Sequence, residues 1–135
     1  MSSVSNYNQT VIETFRANGG HIPGRDSLLL LTTTGAKSGQ PRVSPLAYTE
    51  DGDRYVILAS KAGMPTNPDW YHNLRAHPIV TVEVGAERFQ ARATVTEGAE
   101  RERLFAEHVR QMPGFGDYQR KTTRQIPVIT LERIA

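Results

Sequence analysis

The sequence has no cysteine among its 135 residues, which excludes disulfides, thiolate metal sites and cysteine nucleophiles. Long hydrophobic segments are missing too. The longest apolar run is the four leucines Leu28–Leu31, whereas a membrane-spanning helix needs about 20 apolar residues. The first residues, MSSVSNYNQTV, lack the cationic and apolar regions of a signal peptide. We therefore expect a soluble, cytoplasmic protein without a transmembrane segment.

A strong excess of charge of either sign is also absent. The formal net charge is +2 at pH 7 and the isoelectric point is about 9.2, which is mildly basic and does not predict nucleic-acid binding. A small acidic ligand fits this balance at least as well. The length predicts one domain, residues 1–135, with a core of its own.

Several common catalytic and binding motifs are absent from the sequence. Ala-Lys-Ser at 36–38 suggests a phosphate loop of the GxxxxGK[ST] type, but Leu31 and Ala36 occupy its two glycine positions and a strand follows. No GxGxxG opens a helix, and no serine lies in a GxSxG elbow. His72 and His77 are five residues apart on a predicted helix and do not share a face, so we predict no metal site.

Apolar and alternating segments predict about six antiparallel strands. The first follows Ser27, and the others cover residues 43–48, 55–60, 79–84, 87–95 and 126–131. Short turns join most of them. Because strands and helices do not alternate, the pattern disfavours a parallel nucleotide-binding sheet and favours a mainly β protein, a small antiparallel barrel with peripheral helices.

Three helices are predicted around these strands. The first is amphipathic, lies within residues 1–20 and has Ser5 as its cap; the second begins with Asn67 as cap and Pro68 at its first position; the third follows Thr96 as cap. Residues 113–118 are predicted as a loop or broken helix. The apolar face of the first helix is predicted to pack on the core of the domain, with contact to a membrane surface or a dimer partner as alternatives; it comprises Val4, Tyr7, Val11, Ile12 and Phe15.

The stretch from Ser27 to Leu46, SLLLLTTTGAKSGQPRVSPL, is predicted to form a hairpin around a cationic turn. Gly35 and Gly39 permit positive φ, so successive amides can point into one concavity and hold an anion. Lys37 and Arg42 add charge and Ser38 adds a hydroxyl. The residues alone leave two interpretations open, an ordinary solvated turn and an anion site.

Four segments occur in the order LLLLTTTGAKSGQPRVSPL, YVILASKAG, NPDWYHNL and GDYQRKTTRQIPV. In these the chain resembles the deazaflavin (F420)-dependent nitroreductase family, which comprises F420H2-dependent quinone and nitro-compound reductases of actinobacteria. The resemblance runs from about Asn8 to Leu131. It implies a split β-barrel related to the FMN-binding barrels, with coenzyme F420 as cofactor.

The resemblance also implies which residues contact the cofactor, whose phosphodiester and oligoglutamate tail are anionic. The residues matching the family's phosphate and tail site are Lys37, Ser38 and Arg42. Those matching its deazaflavin-ring site are Pro45, Leu46, Ala59, Ser60, Lys61, Ala62 and Gly63. Those matching the helix that closes this side are Asn67, Pro68, Trp70 and Tyr71. Trp70 fits both a core anchor and a ligand contact.

The implied activity is hydride transfer from reduced F420 to a quinone, an activated enone or a nitro compound. Tyr118 and Ser60 match the family's substrate-site tyrosine and serine. Tyr118 is interpreted as a hydrogen-bond or proton donor, with packing as the alternative. Where nitroimidazole-reducing members have tyrosines, this chain has Ala47, Phe115 and Lys121, so weak activity on bicyclic nitroimidazoles is expected.

Two other functions stay open beside this one. Barrels of this kind can carry F420 without catalysis, and the architecture alone also allows an FMN-binding oxidoreductase. The expected partner is a small-molecule electron acceptor, and a homodimer is compatible with the sequence.

Overall fold

The structure is a computed structural model that describes the backbone of residues 3–24 and 27–134 and the side chains from residue 8 onward within those ranges. These residues form seven strands: β1 (Leu28–Thr34), β2 (Pro41–Ala47), β3 (Thr49–Asp51), β4 (Arg54–Leu58), β5 (Ile79–Val84), β6 (Glu87–Val95) and β7 (Val128–Arg133). The α-helices of the described ranges are α1 (Ser3–Ala17), α2 (Asp69–Ala76), α3 (Gly98–Gln111) and α4 (Gly114–Arg120), and a 3₁₀ turn covers Lys61–Gly63.

All seven strands form one antiparallel sheet in the order β2-β1-β5-β6-β7-β4-β3. Its two edge strands, β2 and β3, are consecutive in the chain, because β2 ends at Ala47 and β3 begins at Thr49. A sheet whose opposite edges are joined through one residue has to curl until those edges approach each other. The mainly β, split-barrel prediction is therefore confirmed.

Strand β1 is buried on both faces, which explains its unbroken leucine run. Leu29 and Leu31 face the interior of the barrel, where they belong to a fully buried cluster with Ile57, Val82 and Leu131. Leu28 and Leu30 face outward and lie under α1 with Val11, Ile12 and Phe15.

Helix α1 thus covers the outer face of the barrel, as the favoured interpretation of its amphipathic pattern predicts. Arg16 adds two hydrogen bonds to the Glu83 carboxylate, at 3.1 and 2.9 Å. The side chains of Val4 and Tyr7 lie outside those that the structure describes. Ser5 is not the cap, because α1 already begins at Ser3. Within the described ranges, no helix is long and apolar enough to cross a membrane.

The described residues contain one strand and one α-helix more than the predicted six strands and three helices. The polar strand β3 forms because a two-residue turn folds it directly onto β4, with Asp51 opposite Arg54. Of residues 113–118, which were predicted as a loop or broken helix, those from Gly114 to Tyr118 belong to α4, so the helical alternative is the one observed. Glycine lowers helix propensity, but Gly116 lets α4 pack closely on α3, since a β-carbon on it would lie 3.2 Å from Val109 Cγ1.

Two predicted helix caps are also wrong. The residue before α2 is Pro68, and Asn67 Oδ1 instead accepts a hydrogen bond from Arg124 at 2.7 Å. The residue before α3 is Glu97, and the Thr96 hydroxyl donates to the Val128 carbonyl at 2.8 Å. In both cases a partner distant in the chain replaces the local helix amide.

Candidate functional site

The predicted hairpin between β1 and β2 is confirmed, with Thr34 opposite Pro41. Its tip faces α2 across a cavity of about 730 Å³. The lining includes Lys37, Ser38, Arg42 and Trp70, together with Asn8, Ala36, Val43, Ser44, Asp69, His72 and Asn73. Four of the predicted site residues are therefore collected around one cavity.

Asn73 fixes the hairpin tip to α2. Its side-chain carbonyl accepts a hydrogen bond from the Ala36 amide at 2.9 Å, and its side-chain amide donates to the Thr33 hydroxyl at 3.2 Å. The side chain is buried, so both bonds are sheltered from water. Sequence reasoning missed Asn73; a polar residue between Trp70 and Leu74 on a buried helix face is the signal that could have identified it.

The backbone of the hairpin tip is less open to an anion than predicted. Gly39 has φ 69°, but Gly35 is not in the left-handed region. The Ala36 amide is already bonded to Asn73, and the Ser38 hydroxyl accepts from the Gln40 amide at 3.2 Å. An anion held here would therefore depend on side-chain cations more than on a nest of backbone amides.

Those cations are Lys37 and Arg42. Both are exposed, and neither forms an ion pair with another residue of 3–24 or 27–134. Asp69 is the carboxylate on the cavity wall, so the two cations leave a positive formal charge. Most other arginines of the described ranges have carboxylate partners, whereas this cavity presents two cations that have none there.

A second group of predicted residues forms a strained turn after β4. Ala59 and Ser60 are buried, and the next three residues are left-handed, with φ 45° at Lys61, 54° at Ala62 and 80° at Gly63. Residues with a β-carbon rarely adopt this conformation, and strain of this kind concentrates at functional sites. The Ser60 side chain makes no capping bond to the turn.

Helix α4 packs directly on this turn. A β-carbon on Gly63 would lie 2.8 Å from the Tyr118 carbonyl oxygen and 2.9 Å from Lys121 Cβ. The Lys121 ammonium lies 5.8 Å from the centre of the Tyr118 ring. The Tyr118 ring packs against the cluster that contains Val56, Leu58 and Leu104, and no group of the described residues hydrogen-bonds its hydroxyl. The contact between α4 and the turn is made by the Tyr118 backbone carbonyl and by Lys121.

Arg124 also contacts this turn, through hydrogen bonds from its side chain. Its guanidinium donates to the backbone carbonyls of Ala59, Ser60 and Met64 and to Asn67 Oδ1. Burial lowers the pKa of this guanidinium below its usual value. Sequence reasoning gave Arg124 no role, although it lies inside the quoted motif GDYQRKTTRQIPV.

The remaining predicted residues lie between the two groups. Pro45 and Leu46 are half-buried on the edge strand β2, where a proline costs no ladder hydrogen bond. Leu46 packs against the cluster that contains Ala59 and Trp70. Trp70 is 8% exposed and belongs to the core, as its predicted role of core anchor requires, and it also lines the cavity. Its contact with a ligand stays a prediction.

Phe115 and His108 continue from Tyr118 in a row of edge-to-face ring contacts. The Tyr118 ring meets Phe115 edge-on at 5.4 Å, and Phe115 meets His108 at 4.5 Å. His108 is fully buried; its Nδ1 lies 2.9 Å from the Thr49 hydroxyl, and its Nε2 has no hydrogen-bond partner within the described chain. Burial lowers the pKa of His108 to about 4.

This histidine should make the protein less stable in mild acid. The unfolded chain binds a proton at His108 below about pH 6.5, whereas the folded protein does so only below about pH 4. Stability from this group is therefore lost as the pH falls between those values, by about 2–3 kcal/mol at pH 4.5. Urea unfolding at pH 7 and pH 4.5 should show a smaller difference in His108→Gln than in the wild type. An equal difference in the two proteins would contradict the assignment.

The antiparallel sheet with its two edges joined through one residue defines this chain as a split-barrel protein, and Lys37 and Arg42 line one of its cavities. A sequence model of the family described as F420H(2)-dependent quinone reductase matches residues 5–133. An F420H(2)-dependent quinone reductase of Mycobacterium tuberculosis is 44% identical over 118 residues, which cover 85% of this chain and 79% of that protein.

Two solved structures are also similar. One, described as an F420-H2 dependent reductase (FDR-A), is 42% identical with a TM-score of 0.73, covering 78% of this chain and 94% of that one. Another, described as a domain-swapped dimer, is 36% identical with a TM-score of 0.76, covering 96% of this chain and 100% of that one. The chain belongs to the F420H(2)-dependent quinone reductase family, an oxidoreductase family whose cofactor is coenzyme F420.

Proposed function

We propose that this protein is a reductase that uses F420H2 to reduce a quinone, an activated enone or a nitro compound. The observation that carries the proposal is the pair of unpaired cations, Lys37 and Arg42, on the wall of a cavity beside Trp70, in a chain whose family depends on a polyanionic coenzyme. A negatively charged phosphodiester and oligoglutamate tail suits this cavity.

The cofactor-binding residues divide into two sets. Arg42 offers a planar fork for a phosphate or carboxylate, Lys37 a point charge, and Ser38 a hydroxyl. Around the ring we place Pro45 and Leu46 of β2 and the turn from Ala59 to Gly63. The α2 side is closed by Asn67, Pro68, Trp70 and Tyr71, with Asn67 acting through Arg124 and not as a helix cap.

The reduced coenzyme supplies a hydride when it is bound. Reducing a quinone also requires a proton on the oxygen where negative charge develops. We assign the Tyr118 hydroxyl as the donor to this oxygen and the Ser60 hydroxyl as its second polar contact. Both residues belong to segments that meet at Gly63.

Anaerobic oxidation of F420H2 with menadione as acceptor tests the function. Wild-type protein should oxidise F420H2 only when menadione is present. Tyr118→Phe should lower kcat about tenfold, the worth of one hydrogen bond made in the transition state, with unchanged F420 affinity. Tyr55→Phe removes the hydroxyl from another half-buried tyrosine and should have no effect. Binding of F420 without acceptor-dependent oxidation would leave only the carrier function.

Bicyclic nitroimidazole prodrugs should be poor substrates. Ala47, Phe115 and Lys121 replace three tyrosines of nitroimidazole-reducing members, and two of them lie next to Tyr118. The lost aromatic and hydroxyl contacts should reduce kcat/KM for such a prodrug at least about tenfold below that for menadione. Comparable turnover of the two acceptors would refute this expectation.

The assembly and extent of the protein are also proposed. One similar structure is described as a domain-swapped dimer, which supports a homodimer here; light scattering after size-exclusion chromatography would detect it. We take residues 1–135 as one domain, because the seven strands form one sheet and α1 packs on its strand β1. A cytoplasmic location stays a prediction.

A further inference from the structure

Arg124 makes an unusual set of contacts for a half-buried arginine. Its Nε donates to the Met64 carbonyl at 3.0 Å, Nη1 to the Ala59 carbonyl at 3.1 Å and to Asn67 Oδ1 at 2.7 Å, and Nη2 to the Ser60 carbonyl at 2.7 Å. All four acceptors are neutral oxygens. No carboxylate within the described ranges pairs with this guanidinium.

All four acceptors lie in one short stretch, residues 59–67, that surrounds the strained turn. Inside it, the Gly63 amide bonds to the Ser60 carbonyl at 2.9 Å and the Met64 amide to the Lys61 carbonyl at 3.0 Å. Two such bonds are few for a segment in which Lys61 and Ala62 both hold positive φ. Arg124 bridges the carbonyls at both ends of the turn and so fixes their separation.

This arrangement depends on the planar, forked shape of the guanidinium group. Its planar set of N–H groups reaches four oxygens at once in a fixed geometry, whereas a lysine ammonium is a point donor on a flexible stem. Arg124 follows α4, which itself packs against Gly63 through the Tyr118 carbonyl. One segment of chain therefore carries both the proposed proton donor and the side chain that shapes the ring-binding turn.

We propose that Arg124 is a positioning residue that holds the Ser60–Met64 turn in its left-handed shape before the cofactor arrives, so that the planar ring meets a preformed wall. The assignment of the ring to this turn rests on the proposed function; the conformational role does not. Without the fork, the turn samples other conformations, and ring binding has to restore the ordered one.

The first test needs no cofactor. Amide hydrogen exchange of ligand-free protein should be about tenfold faster at Gly63 and Met64 in Arg124→Lys than in the wild type, and faster still in Arg124→Gln. The slowest-exchanging amides of the sheet should be unchanged. Arg110→Lys, which alters an exposed arginine paired with Glu107, is the matched control and should change neither set.

The second test measures binding and turnover. In Arg124→Lys the Kd for F420 should rise about tenfold, while kcat at saturating F420H2 stays within about twofold of wild type, because the bound turn regains its shape. Unchanged exchange and unchanged Kd would overturn the proposal. Faster exchange at every amide would overturn it too, since Arg124 would then stabilise the fold in general. If wild-type protein binds no F420 although exchange at Gly63 and Met64 rises as expected, the proposed function fails and the conformational role of Arg124 stands.

Discussion

Replacing both Lys37 and Arg42 with alanine should weaken F420 binding about 100-fold. Each contact between a cation and an anionic oxygen contributes on the order of 1.5 kcal/mol, near the low end because both side chains are exposed. Each single variant should therefore bind F420 about tenfold more weakly. The two losses of binding free energy should add if the cations contact different parts of the tail. The losses should shrink at high salt, because exposed charges are screened.

Spectrophotometric titration with oxidised F420 at low and high ionic strength measures these losses. Arg88→Ala removes another exposed cation, from β6 on a wall away from this cavity, and should bind F420 like the wild type. Equal affinity in wild type and the double variant would place the tail elsewhere. An equal loss in Arg88→Ala would show only a general effect of net charge.

Gly63→Ala should lower both the free energy of unfolding and the affinity for F420. Gly63 has φ 80°, and an added β-carbon would overlap the Tyr118 carbonyl oxygen at 2.8 Å and Lys121 Cβ at 2.9 Å. The left-handed conformation costs an alanine about 1–2 kcal/mol, and separating α4 from the turn adds to this, for a total of about 3 kcal/mol. F420 affinity should fall as well, because the ring-binding turn moves.

Gly52→Ala is the matched control for this prediction. Gly52 has a similar φ of 62°, but an added β-carbon meets nothing within 4 Å. The free energy of unfolding of Gly52→Ala should therefore fall only by the cost of a left-handed alanine, about 1 kcal/mol. Its F420 affinity should not change. Urea unfolding and F420 titration of both variants give the comparison. Equal losses in the two proteins would mean that the contact between Gly63 and α4 is unimportant.

Much of the barrel could be predicted from the sequence because its hairpins are local. Val84 and Glu87 face each other across the predicted Gly85-Ala86 turn, and the leucine run of β1 reflects burial on both faces. Strand β3 was missed because its three polar residues resemble a turn. Helix α4 was predicted only as a loop or broken helix because its glycines lower helix propensity, whereas in the structure Gly116 packs closely on Val109 of α3.

The site residues also divide into those brought together by local structure and those paired across the chain. Lys37, Ser38 and Arg42 are close in the chain, so a hairpin is enough to bring them to one cavity. Arg124 bonds to Ala59 across 65 positions, and no local pattern encodes such a pair. The caps assigned to Asn67 and Thr96 failed for the same reason, since distant partners outcompete the nearby helix amides. Which residues touch the cofactor stays a proposal.

A comparative titration with oxidised F420 and with FMN is the most direct test of which cofactor this protein binds. We expect a Kd for F420 that is roughly micromolar or tighter, and FMN binding at least about 100-fold weaker, because the cationic cavity suits a long polyanionic tail. Micromolar binding of FMN with no binding of F420 would contradict it.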